Sequence, residues 1–109
     1  MEDRVALTAF AGLSQETRLR IVRLLVRAGP AGLAAGAIGE AIGASSSRLS
    51  FHLAHLEQAR LVTSRREGRF VIYAAAYPVL SDLVAFLMRD CCDGRSEICA
   101  PSLAGEDHD

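Results

Sequence analysis

Apolar and polar positions follow two different periods along this chain. In "SQETRLRIVRLLVRAGP", starting at Ser14, apolar residues recur at helical spacing. Ile21, Leu24, Leu25 and Ala28 share a face, Leu19, Val22 and Val26 widen it, and Arg20, Arg23 and Arg27 form the polar stripe. The pattern predicts a central helix buried on most sides. Ser14 is its expected N-cap, Glu16 sits in the first turn where the helix dipole favours an anion, and Gly29-Pro30 stops it. Upstream, "MEDRVALTAFAGL" predicts a short helix with Gly12 near its end. Downstream, Ala34 to Ile42 predicts another, anchored by Leu33, Ile38 and Ile42, before Gly43 turns the chain. "SSSRLSFHLAHLEQAR" then repeats Leu49, Leu53 and Leu56 at i, i+4, i+7, with Ser45 as cap. Two helices joined by a short glycine turn predict a helix-turn-helix.

After Arg60 the period changes. "LVTSRREGRFVIYA" predicts a hairpin: Leu61-Val62-Thr63 begins one strand, Phe70-Val71-Ile72-Tyr73 forms the other, and Glu67-Gly68 is the tip. Pro78 opens a last helix, "PVLSDLVAFLMRD", with Val79, Leu80, Leu83, Val84 and Leu87 as its apolar stripe. The expected fold class is mainly α with a small β-hairpin, a winged helix-turn-helix. Residues 1–90 form the expected DNA-binding and dimerisation domain and 91–109 a cysteine-containing effector-binding tail.

At 109 residues the length suits one domain. Half of the residues are apolar, so a folded core is expected. No run of 18 apolar residues occurs and the acidic N-terminus lacks signal-peptide order, so no membrane partner and a cytoplasmic location are expected. No Ser-His-Asp set, carboxylate pair or glycine-rich phosphate loop is visible. An enzyme, a catalytic cofactor and an organic substrate are therefore not expected.

Net charge is −1, but its distribution is uneven. Positions 14–70 hold nine Arg against four Glu, and positions 90–109 six acids against Arg95. A basic middle fits a polyanion. With the three leucines inward, Ser47, Phe51, Ala54 and Gln58 lie on the opposite side of the predicted helix, with Arg48 and His55 near them and Ser46 at the tip. Serine and glutamine bond to base edges, arginine takes guanine or phosphate, and an aromatic edge packs on a thymine methyl. Arg65, Arg66 and Arg69 on the hairpin would reach the backbone or the minor groove. These residue types point to double-stranded DNA; the bland alternative is a solvated face. His52 lies beside the leucine face and reads better as a packing or backbone-contacting histidine than as a metal ligand.

Readers of duplex DNA commonly work as two-fold dimers. Ala6, Phe10 and Leu13 with Leu80, Leu83, Val84 and Leu87 are the expected homodimer interface, to which Phe86 or Met88 adds.

The thiols Cys91, Cys92 and Cys99 crowd together directly after the last predicted helix. Their odd number argues against closed disulfides. A structural zinc site wants four ligands, and His108 is the one candidate to complete it. Three sulfurs suit a soft, thiophilic centre. Flanking Asp90, Asp93 and Glu97 disfavour a reactive thiolate and favour a bound cation or Lewis acid. An effector site, a redox switch and no function all remain open on this ground.

The segment "SSSRLSFHLAHLEQARLVTSRREGRFVIYA" resembles the recognition helix and wing of the ArsR/SmtB family of metal-responsive repressors. Ser47, Ser50, His52, Leu53, Leu56, Ala59, Leu61, Val62, Arg65, Gly68, Arg69 and Tyr73 carry the match, and the likeness runs from about Leu13 to the last helix. It implies a homodimeric winged-helix repressor that leaves operator DNA when an inducing ion binds. Ser46, Ser47, Arg48, Ser50, Phe51, His55, Arg65, Arg66 and Arg69 are together the expected DNA contacts. Many relatives carry a cysteine pair in the helix before the turn; "GAIGEAIG" has none. "DCCDGRSEIC" resembles instead the branch that senses trivalent arsenic and antimony. The resemblance thus implies Cys91, Cys92 and Cys99 as inducer ligands for As(III) or Sb(III). The His and carboxylate set of zinc, nickel and cobalt sensors is missing, with only Asp82 in the last helix. A redox-responsive or effector-blind winged-helix regulator is the alternative.

Overall fold

The computed structural model describes residues 1–89. The order is α1 (Asp3–Leu13), α2 (Glu16–Ala28), β1 (Leu33–Ala34), α3 (Ala35–Ile42), α4 (Ser46–Gln58), β2 (Val62–Glu67), β3 (Phe70–Ala75) and α5 (Tyr77–Met88). This is the winged helix-turn-helix expected from the sequence, with one addition. Leu33 does not anchor the short helix. It pairs with Tyr73, and Ala34 with Ile72, so the wing is a three-stranded antiparallel sheet in the order β1-β3-β2. Gly32 makes this possible. At φ +74° it takes a left-handed conformation, and a Cβ there would lie 2.3 Å from the Tyr73 carbonyl oxygen.

α2 is less enclosed than its pattern predicts. Thr17, Arg18, Ile21, Val22 and Leu25 are buried, whereas Leu19 and Val26 keep 45% and 42% of their surface exposed. Its cap also differs. Ser14 terminates α1, and the Gln15 side chain accepts the Arg18 backbone N–H at 2.9 Å. At the other end, the Tyr77 hydroxyl donates to the Val26 carbonyl at 3.1 Å, satisfying one of the acceptors a helix C-terminus leaves open.

α1 packs through its small residues. Ala6, Ala9 and Gly12 are buried, and a Cβ on Gly12 would meet Leu61 Cδ1 at 3.0 Å and Ala59 Cβ at 3.1 Å. Close approach turns the larger Val5 and Leu7 outward, 45% and 67% exposed. The core joins these small α1 residues to Ile21, Val22 and Leu25 of α2, Ile38 of α3, Leu49, Leu53 and Leu56 of α4, Leu61, Val62 and Leu83.

Candidate nucleic-acid interface

α4 begins with a built start. Gly43 adopts φ +79° and closes α3, with N–H bonds from Gly43 and Ala44 to the Gly39 carbonyl at 2.8 and 3.2 Å. Ser45 then caps α4: its Oγ accepts the Arg48 N–H at 3.3 Å. Both expectations for this turn hold. Leu49, His52, Leu53 and Leu56 face the core, and Ser46, Ser47, Arg48, Ser50, Phe51, Ala54, His55 and Gln58 are exposed. Phe51 keeps 64% of its surface in solvent. Its ring stands edge-on to His52, centroids 5.4 Å apart, and to His55 at 6.2 Å, so the exposed aromatic is braced between two imidazoles.

His52 is a packing histidine, but its partner is a side chain and not the backbone. Its Nδ1 lies 3.2 Å from Arg18 Nη1, with both residues buried. A guanidinium carries only N–H donors, so Nδ1 must be the bare, accepting nitrogen and the ring proton sits on Nε2. Burial, and after it the positive charge of Arg18, Arg48 and His55, holds the imidazole pKa below its ordinary 6.5. Arg18 Nε donates to the Gly12 carbonyl at 2.8 Å. One arginine therefore ties the last turn of α1 to the middle of α4. The sequence placed Arg18 only in a charge count. Yet it falls on the stripe of Ile21, Val22 and Leu25, and that spacing was the available signal.

The wing is braced from two sides. Arg65 Nε donates to Glu67 Oε2 at 2.7 Å and its Nη2 to the Ala31 carbonyl at 2.8 Å. Ser64 Oγ donates to Glu57 Oε2 at 2.7 Å, joining β2 to the end of α4. The three arginines expected to act alike are thus placed differently: Arg65 is engaged within the protein, while Arg66 and Arg69 are exposed with no carboxylate partner among the described residues. Phe70 lies opposite Glu67 near the tip and is 58% exposed, a second outward aromatic that strand patterning assigned to the hairpin's frame.

Of the residues expected at a dimer interface, Ala6 and Leu83 lie in the protomer's own core, 1% and 3% exposed. For Ala6 the physical reason is the close packing of α1 through its small residues. Phe10, Leu13 and Leu80 are partly buried against that core, whereas Val84 and Leu87 are 52% and 60% exposed. Cys91, Cys92 and Cys99 lie outside the described residues, as does Asp90. Among the described residues no group of three or more His, Cys, Asp or Glu is placed to hold a metal ion, and no helix is long and apolar enough to cross a membrane.

A capped helix with an exposed Ser, Arg and aromatic face, beside a wing with outward arginines, defines a winged-helix DNA-binding protein. Comparison with known proteins agrees. Residues 13–65 match a family model described as a helix-turn-helix domain. The transcriptional repressor SdpR of Bacillus subtilis is 33% identical over 79 residues, 72% of this chain and 84% of that protein. An ArsR-like transcriptional regulator from Rhodococcus sp. RHA1 superposes with a TM-score of 0.72 at 27% identity, covering 93% of both chains. A possible transcriptional regulator for arsenical resistance gives 0.63 at 30% identity, covering 83% of this chain and 91% of that one. The chain belongs to the winged helix-turn-helix transcriptional regulators and is structurally homologous to their ArsR/SmtB-like members. It is a DNA-binding regulator and not an enzyme.

Proposed function

We propose that this regulator is a homodimeric repressor that releases its operator when trivalent arsenic, or antimony, binds Cys91, Cys92 and Cys99. The observation that carries the reading is an adjacency. The thiols begin two positions after Arg89, the C-cap of α5, and α5 presents Val84 and Leu87 outward. Those side chains, with Val5 and Leu7 of α1, supply apolar surface for a second copy. The donor set fits the ligand: three soft thiolates suit a thiophilic centre. Similarity to a possible regulator for arsenical resistance supports the sensing half, and similarity to a transcriptional repressor the repressing half.

On DNA, Ser46, Ser47, Ser50, Phe51 and His55 would meet base edges, with Arg48, Arg66 and Arg69 on phosphates or guanine. Arg65 would serve mainly to hold the wing. The ion acts as an effector and must bind the off-DNA arrangement more tightly than the DNA-bound one; otherwise it shifts nothing.

The test is arsenite titration of the chain bound to a duplex that the wild type has selected from a random pool, read by fluorescence anisotropy, with Cys99→Ser alongside. Release of the wild type only is expected. Equal release of both proteins removes the three-thiol coupling. Release by peroxide and not by arsenite moves the assignment to the redox-responsive alternative.

A further inference from the structure

Arg18 is an unusual buried group. It is 9% exposed, and the ion pair found among the described residues lies elsewhere, between Arg65 and Glu67. Its guanidinium is met by neutral acceptors, the Gly12 carbonyl at 2.8 Å and His52 Nδ1 at 3.2 Å. Desolvating a cation without a counter-ion costs stability, so the arrangement has to be understood from its geometry. The planar fork spans two elements at once: Nε holds the last turn of α1 and Nη1 holds α4 from inside. His52 in turn abuts Phe51 on the outer face.

We propose that Arg18 and His52 are the positioning pair of the DNA-reading helix, fixing the rotation and depth of α4 against the α1–α2 corner, so that sequence discrimination depends on them more than overall affinity does. The physics separates the two quantities. Phosphate contacts are set by charge and tolerate small displacement. Contacts to base edges require hydrogen-bond geometry. A helix free to rotate by a few degrees keeps the first kind and loses the second. The inference rests on DNA binding and is independent of any effector.

The experiment compares wild type, His52→Leu, His52→Asn, Arg18→Met and the Arg18→Met/His52→Leu double variant. Each is titrated with the duplex selected by the wild type and with a scrambled duplex of equal composition. Both single apolar variants should lose about tenfold in the ratio of the two affinities, with scrambled binding within about twofold. His52→Asn, whose Oδ1 occupies the place of the Nδ1 acceptor and still accepts from Arg18, should recover most of the ratio. The double variant should lose no more than Arg18→Met alone, because the His52 change then removes an interaction already broken. Equal loss on both duplexes, or losses that multiply in the double variant, would overturn the proposal. A DNA-free measurement stands beside these. Nitrogen-15 NMR of His52 in the wild type should show the proton on Nε2, and a proton on Nδ1 would sink the pair even if every variant failed to fold. Because that result is read without DNA, it is separable from any failure of DNA binding.

Discussion

The inner and outer sides of α4 are built on different physics. Inside, Leu49, Leu53 and Leu56 fill the core, and His52 accepts from an arginine that has no carboxylate partner among the described residues. Outside, serines, Arg48, His55 and a largely exposed Phe51 face solvent. The inner side fixes where the helix sits; the outer side decides what it touches. The difference teaches that stability and recognition can be disturbed separately in this molecule, although the residues concerned are neighbours along one helix.

The sharpest way to break the inner side is Leu53→Ala. Leu53 is 1% exposed, and truncation of a buried leucine costs about 3 kcal/mol through lost transfer energy and the cavity left behind. Urea unfolding should show this as a lower midpoint with the slope kept. A cost close to zero would mean that α4 is held chiefly by its polar contacts. Gly32→Ala should cost nearly as much, about 2 to 3 kcal/mol, because it combines positive φ with a Cβ driven against the Tyr73 carbonyl. Its damage should concentrate in the wing, visible as faster amide exchange in β1 and β3.

Acid tests the inner side more gently. The folded state holds the His52 proton less tightly than the unfolded chain does, because burial and nearby cations lower its pKa from 6.5. The unfolded state therefore takes up more protons as pH falls. The contribution of His52 to stability is complete above pH 6.5 and is lost progressively as pH drops through 6.5 toward the lowered value. Unfolding midpoints followed from about pH 7.5 to about pH 5 should decline in the wild type and decline less in His52→Gln. Parallel curves would show that the imidazole is not the group responsible.

The smallest stability effects belong to the outer side. Phe51→Ala and Arg66→Ala should change unfolding free energy by no more than about 0.5 kcal/mol, as exposed positions do. Phe51→Ala should weaken binding to the selected duplex. Arg66→Ala should weaken binding to all duplexes and reduce the slope of log affinity against log salt by about 1. Arg65→Ala, already committed to Glu67 and Ala31, should leave the salt slope almost unchanged. A slope change equal to that of Arg66→Ala would show that Arg65 reaches phosphate after all.

Much of this architecture could be read along the chain, since its signals are local. The leucine repeat of α4, the Ser45 cap, the Gly43 turn, Pro78 at the start of α5 and the Glu67-Gly68 tip each act within a few residues. The misses share a different cause. Strand β1 is two residues long and forms only because Gly32 lets it approach Tyr73, far along the chain. On α1 the small Ala6 is buried and the larger Val5 exposed, because small residues let the helix pack closely, which a hydrophobic pattern does not express.

By itself, then, the sequence determined the five helices and the two hairpin strands, the outward serine and arginine face of α4 and the basic wing, because caps, turns and periodicity are short-range physics. Tertiary structure decided which arginines are free. Arg18 meets His52, and Arg65 meets Ala31, each across 34 positions. Contacts at that separation follow from how helices and strands pack, and a charge count cannot distinguish a buried fork from a solvated one.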